Sequence, residues 1–220
     1  MKALARTSRS RVRRLPRRAA YDRETAYAVL DASFVCHVAF AVDGQPFLTP
    51  TSYWREGTHV YWHGSSASRM IRHLAAGAPC ALAVTHVDGL VLARSGFHHS
   101  LNYRSLVLFG VATAVTDPAE KRARLDAFVE RIAPGRIAAL RPPTPQELRA
   151  TTVLRMPIEE GSVKIRTGPP IDDEADYALP VWAGVVPIIM KTDQPEPDRH
   201  PGGTVAVPPG ARGFRHLGLA

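Results

Sequence analysis

Cysteine is scarce, with Cys36 and Cys80 the only two in 220 residues, and each lies inside an apolar run. That excludes a disulfide scaffold and leaves two buried, reduced thiols as the expectation. Long hydrophobic runs are missing too. The longest, residues 26–42, is broken by Asp31 and His37 and is too short and too patterned to span a bilayer. Arg13 and Arg14 invite a twin-arginine export reading, but Asp22, Arg23 and Glu24 stand where an apolar segment would have to follow. A cytoplasmic protein with no membrane partner is expected.

Acidic residues are absent from the first twenty positions, which carry Lys2, Arg6, Arg9, Arg11, Arg13, Arg14, Arg17 and Arg18. Taking those 8 from the 28 Lys and Arg leaves 20, against 20 Asp and Glu, so the formal charge of +8 belongs to the arm. Such an arm suits RNA, DNA or anionic lipid, yet a solubilising tail explains it as well, and no nucleic-acid partner is expected. Also missing are a Walker phosphate loop, a G-x-G-x-x-G turn, a G-x-S-x-G elbow and an H-E-x-x-H pair. His59 and His63 are four apart, but on a strand this separates them by roughly 13 Å, so no metal site is expected.

What is present divides into a basic arm expected to be disordered (1–21), one folded domain (22–190) and a Pro/Gly-rich tail (191–220). Asp22 can cap a helix over 23–32 with Ala26, Val29 and Leu30 inward. Residues 34–42 alternate, with Phe34, Cys36, Val38, Phe40 and Val42 on one face. Asp43-Gly44 then turns the chain into Gln45 to Trp54, and Glu56-Gly57 into His59 to His63. The spacing predicts a helix from Ser68 to Ala76, with Met70, Ile71 and Leu74 inward and Gly77 ending it. Strand composition returns in Cys80 to Val87, Leu90 to Arg94 and Asn102 to Thr116. Two capped helices follow at Asp117-Pro118 and Thr144-Pro145. The first should bury Leu125, Phe128, Val129 and Ile132. Thr152 to Arg166 reads as a strand pair or one strand bent near Pro157. The fold class is α+β, mainly β and antiparallel, with peripheral helices.

The stretch His63 to Arg69 stands where a strand passes into a helix. Unpaired amides at a helix start, the hydroxyls of Ser65, Ser66 and Ser68, and the charged fork of Arg69 together suit a phosphate, although serines before a helix also serve as plain caps. Of Tyr61 and Trp62, alternation places one on each face, so at least one is ordinary packing.

Residues 45–51 (QPFLTPT), 61–69 (YWHGSSASR), 88–94 (DGLVLAR), 102–110 (NYRSLVLFG) and 162–166 (SVKIR), with Trp182-Ala183-Gly184 beyond, resemble in order the FMN-binding split-barrel branch of the pyridoxamine 5'-phosphate oxidase-like superfamily, which includes the Nim nitroreductases. The resemblance spans about residues 22–190. It implies a split β-barrel homodimer with FMN at its interface. The phosphate would lie near Gly64, Ser65, Ser68 and Arg69, and the backbone of Thr49, Pro50 and Thr51 would run along the ring. Tyr103, Arg104 and Ser105 would complete the pocket, and Lys164 and Trp182 would approach from the partner. His63 matches a histidine beside the flavin ring, suited to proton transfer as the catalytic residue; the alternative is a strand histidine that only packs.

One departure matters. Oxidases of pyridoxamine phosphate carry S-R-K at the helix start, whereas Arg69 is followed here by Met70. The expectation is therefore an FMN-dependent oxidoreductase acting on an unknown small molecule, such as a nitro or quinone compound. The rivals are a flavin-storing or sensing module, and the same fold carrying a deazaflavin or haem.

Overall fold

The computed structural model describes residues 3–196 and 198. It begins with a surprise for the basic arm, whose described part is bound to the barrel. Leu4 is only 3% exposed and joins the main core, Ala5 bridges to Glu160, and Arg9 holds the Glu160 carboxylate through two hydrogen bonds of 2.8 and 2.6 Å. A 3-10 turn at Pro16–Arg18 then leads into β1 (Ala19–Ala20). The expected disorder is thus corrected for residues 3–21. Composition hid this because one leucine and one ion pair do the anchoring among arginines.

Asp22 caps α1 (Arg23–Asp31) by accepting from the Thr25 N–H at 2.7 Å, and Ala26, Val29 and Leu30 are buried as the periodicity requires. β2 (Val35–Val42) and β3 (Gln45–Glu56) form a hairpin whose turn residues, Asp43 and Gly44, have φ of 49° and 77°. Two left-handed residues make the turn that matches strand twist. β4 (His59–Ser65) and α2 (Arg69–Ala75) follow, and α2 buries Met70, Ile71 and Leu74.

β5 (Pro79–Leu92) is one long strand rather than two, because the break expected near Asp88 is absorbed as a bulge between Val87 and Gly89. β6 (Ser100–Val111) and the short β7 (Thr113–Ala114) lead into α3 (Pro118–Ile132), capped by Asp117, and α4 (Pro145–Ala150), closed by a Thr144–Glu147 capping box. α3 departs from expectation: none of its residues is fully buried and Ile132 is half exposed. Leu125 and Phe128 pack on the barrel, while Val129 lines a cavity of about 370 Å³ with Ile137 and Leu140.

β8 (Thr151–Pro157) and β9 (Glu160–Arg166) are separate strands broken just after Pro157, and β10 (Gly184–Pro187) adds to β5. Nine of the ten strands order as β1-β9-β6-β5-β2-β3-β4-β8-β7, with β10 branching from β5 and antiparallel pairing between all paired strands. The sheet curls on itself. Met156 of β8 lies so near Gly110 of β6 that an added Cβ would meet its sulfur at 2.9 Å. Inside sit Trp62, Tyr53, Leu82, Leu106, Leu108, Leu154 and Met156, all fully buried. A second cluster of Trp54, Tyr61, Val115 and Val153 packs outside, beneath α3.

β3 is shared between two half-sheets. Residues 45–52 pair with β2, whereas residues 53–56 pair with β4. The β3–β4 ladder ends at Tyr53 and Trp62, and beyond that point the two strands part.

Candidate functional site

The parting of β3 and β4 brings together most of the residues singled out in the sequence. The Tyr53 N–H donates to the Phe34 carbonyl at 3.0 Å, and the β2 register runs unbroken from there. Strand alternation then directs the amides of Thr51 and Thr49 toward β2. The groups turned toward the split are those of their neighbours: the Leu48 and Ser52 amides and the Pro50 carbonyl. Of the expected backbone run from Thr49 to Thr51, the Pro50 carbonyl faces the split while the Thr49 and Thr51 amides turn to β2. Proline, lacking an N–H, makes Pro50 an acceptor only.

Side chains follow the same parity. Thr49 and Thr51 share a face with buried Tyr53, while Pro50 and Ser52 share the outer face with Trp54. Across the split, His63 lies on that outer face. Its ring centroid is 4.7 Å from Phe128 of α3 and 5.9 Å from Trp54. The Nδ1 atom of His63 is buried with no hydrogen-bond partner, and burial holds the imidazole pKa below its ordinary 6.5. A neutral, acceptor-capable imidazole therefore borders the split at neutral pH. Trp62 turns into the core and Tyr61 stacks on Trp54 with centroids 5.6 Å apart, so both are packing residues.

Past His63, Gly64 allows α2 to close on β4, since a Cβ there would meet Ile71 Cγ1 at 3.0 Å. Ser65 is exposed and its Oγ accepts from the Ala67 N–H at 3.2 Å; the Ser66 N–H is tied to the Ala150 carbonyl at 2.8 Å. Ser68 has the extended backbone of a cap residue, yet its hydroxyl makes no capping bond. Arg69 is exposed, with its guanidinium 4.7 Å above the Phe47 ring, and no carboxylate pairs with it among the described residues. A hydroxyl not used as a cap beside an unpaired guanidinium is the chemistry that takes a phosphoryl group.

The remaining candidates lie elsewhere in the chain. Tyr103 and Ser105 are on the outer face of β6, and Ser105 sits opposite Lys164 of β9, donating to its carbonyl at 3.3 Å. β5 and β2 separate this pair from β3, roughly 14 Å across the sheet. Arg104 points the other way. It is 2% exposed and its guanidinium grips Asp88 through bonds of 2.9 and 2.7 Å. Its expected place in the ligand pocket is corrected: the charge is committed to a structural pair, and alternation along β6 separates it from both neighbours. Trp182 is 65% exposed and leans over Gly184, at the β10 edge. Lys164, Ser105, Tyr103 and Trp182 therefore do not meet Arg69 within one chain.

Sequence reasoning missed Ser52, the Leu48 amide and the Phe128 wall. The parity of the β2–β3 hairpin could have supplied the first two. Nothing local to α3 announces that Phe128 packs beside His63.

The family model described as pyridoxamine 5'-phosphate oxidase matches residues 22–165. Among solved structures, the flavocytochrome Anf3 from Azotobacter vinelandii is 45% identical, with 93% of this chain and 95% of that chain covered at a TM-score of 0.88. The FAD and haem binding protein from Mycobacterium smegmatis is 38% identical over 88% of this chain and 95% of that one, at 0.84. A putative 5-nitroimidazole antibiotic resistance protein from Bacteroides thetaiotaomicron, 18% identical over 66% of this chain and 86% of that one at 0.55, shares the fold alone. No curated protein matches. No helix among the described residues is long and apolar enough to cross a membrane. The fold is a split barrel and the family model spans it from α1 to β9, so the chain belongs to the pyridoxamine 5'-phosphate oxidase-like family.

Proposed function

We propose that the chain binds a flavin nucleotide at the β3–β4 split and acts as an oxidoreductase on a small electron acceptor. The observation that carries this reading is the convergence there of an open strand edge, the partnerless His63 Nδ1, and the Ser68–Arg69 pair. Ser68 and Arg69 would hold the phosphate, with the amides of Leu48 and Ser52 and the Pro50 carbonyl along the ring edge. When bound, the flavin supplies the electron chemistry, and the protein supplies position and electrostatics. His63, neutral above its lowered pKa, accepts or returns a proton at Nδ1 while Phe128 and Trp54 fix its ring and exclude water. FMN is the form that the sequence resemblance implies, and the likeness to the 38% identical FAD and haem binding protein makes FAD the form to test against it. Nitroaromatic and quinone compounds are the acceptor classes.

The partner is a second copy. The outer face of β2, β3 and β5 carries Ala39, Ala81 and Ala83 beside Val35 and Leu48, the last 62% exposed. A flat apolar face of this kind is suited to self-association. It would also let Lys164 and Trp182 reach the split of the opposite chain.

Haem as a second cofactor is favoured by one observation beyond the likeness to the FAD and haem binding protein. A cavity of about 390 Å³ lined by Phe34, Val35, Val87 and Ile188 also receives His37 and His86. His37 and His86, the latter with its Nε2 on the Val29 carbonyl at 2.9 Å, are the imidazoles that would ligate iron there. Haem would supply one-electron chemistry there.

The test is the absorbance spectrum of purified protein with mass identification of whatever denaturation releases. Flavin bands with an FMN or FAD mass support the reading, and a Soret band adds haem. Colourless protein that also fails to take up either flavin overturns it. Arg69→Ala should weaken flavin affinity about 10- to 150-fold, the value of one charge-assisted hydrogen bond. Bound flavin that no nicotinamide donor or dithionite-linked acceptor assay can cycle would mark a binding module instead of an enzyme.

A further inference from the structure

A second cationic cavity lies away from the split, where the N-terminal arm meets the end of β9. It measures about 500 Å³ and is lined by Arg17, Arg18, Ile165, Arg166, Thr167, Pro169 and Ile171. Two of its arginines come from the segment that composition alone reads as a solvated tail. That segment is placed here by the 3-10 turn at Pro16–Arg18 and by β1, which pairs Ala19 with Lys164.

Its electrostatics are one-sided. Arg166 is 7% exposed, and its hydrogen bonds go to the Asn102 Oδ1 at 2.5 Å and to the carbonyls of Gly168 and Pro169 at 3.4 and 3.2 Å, none of them a charged acceptor. Asp172, six residues beyond Arg166, is taken by Arg94 through its N–H and guanidinium at 3.0 Å each, and Glu160, six residues before it, is taken by Arg9. Among the described residues no carboxylate forms an ion pair with Arg17, Arg18 or Arg166. Burial and the nearby Arg18 both push the Arg166 pKa down, as expected of cations crowded without a counter-charge. A buried guanidinium is ordinarily paired.

We propose that this cavity is an anion site for the phosphoryl group of a nucleotide, with Arg17, Arg18 and Arg166 holding the phosphate and Ile165, Pro169 and Ile171 walling the organic part. Planar guanidinium forks suit phosphate oxygens, and the apolar wall distinguishes the cavity from a bare basic patch. The phosphoryl group comes either from a separate nucleotide co-substrate or from the tail of a flavin held by the opposite chain. The first source is independent of the flavin reading, and the second rests on it.

The experiment follows inorganic pyrophosphate binding to the full-length protein as purified, by calorimetry and thermal shift, in wild type, in the double variant Arg17→Glu/Arg18→Glu and in Arg69→Ala. A separate nucleotide site predicts that pyrophosphate raises the melting temperature of wild type and of Arg69→Ala, with affinity at least tenfold weaker in the double variant. A flavin-tail site predicts instead that the double variant loses bound flavin, read by absorbance, while keeping the wild-type far-ultraviolet circular dichroism. Equal pyrophosphate affinity in wild type and double variant, with flavin content unchanged, overturns the proposal. Arg166→Gln gives a further check, since it keeps a donor for Asn102 yet should weaken pyrophosphate in the same direction. Failure of the flavin reading would show separately, as absent visible absorbance.

Discussion

Removing the Asp88 carboxylate should destabilise the fold by about 3 kcal/mol, and this perturbation tests the reassignment of Arg104 from ligand binding to structure. Arg104 is 2% exposed and meets Asp88 through two charged hydrogen bonds. Breaking a buried ion pair by deleting one partner costs about 3–5 kcal/mol. The Asp88 side chain is 24% exposed and lies at the β5 bulge, so water can reach the vacated space and the lower end applies. For a chain of this size about 3 kcal/mol lowers the melting temperature by roughly 6–12 °C. Asp88→Ala, melted by circular dichroism with wild type, gives the direct reading. Asp88→Leu/Arg104→Met should recover most of the loss, since replacing both partners by apolar groups is often neutral. A melting temperature for Asp88→Ala within about 2 °C of wild type would refute the reasoning. So would an Arg104→Met protein that folds normally yet has lost its ligand.

Four other outcomes are expected. Gly161→Ala should fail to fold, because the added Cβ would stand 2.5 Å from the Val107 carbonyl and 2.8 Å from Leu108 Cδ2; soluble yield and circular dichroism check it. Leu4→Ala should lower stability by about 2–3 kcal/mol, the lower range for a buried leucine near a terminus, and should speed tryptic cleavage in the arm. His63→Asn should spare flavin binding and lower turnover, and normal turnover would remove its catalytic assignment. His63 also predicts a pH dependence. Its folded pKa is depressed, so its contribution is present above pH 6.5 and falls away as pH drops through the folded value, the unfolded chain protonating first; urea midpoints from pH 8 to pH 5 should fall more steeply in wild type than in His63→Phe.

Much of the barrel was legible because its signals are local. Asp22, Asp117 and Thr144 cap helices where their side chains predict, and the Cys36, Val38, Phe40 alternation sets which face of β2 is buried. The strand, turn and helix start from His63 to Arg69 were legible for the same reason, since they follow within seven residues. What escaped depends on partners distant in sequence. The arm is anchored by Glu160, about 150 residues away, and a run of arginines carries no sign of that pairing. Arg104 was expected in the pocket through the resemblance alone, and only its pairing with Asp88 across the β5 bulge shows that it faces away from Tyr103 and Ser105. Ile132 continues the apolar spacing of α3 but overhangs the barrel, since helix periodicity does not say where the supporting sheet ends.

The clamp between the arm and β9 protects the sheet from its neighbours. Strand β9 is covered on its outer side by Ala19, Ala20 and the Ala5 bridge, a short and heavily charged border that offers little for another molecule to extend. A shortened version beginning at Asp22 would keep every residue matched by the family model yet expose that ribbon of main-chain donors and acceptors. Such a truncation should gain a tendency to assemble strand against strand in proportion to its concentration.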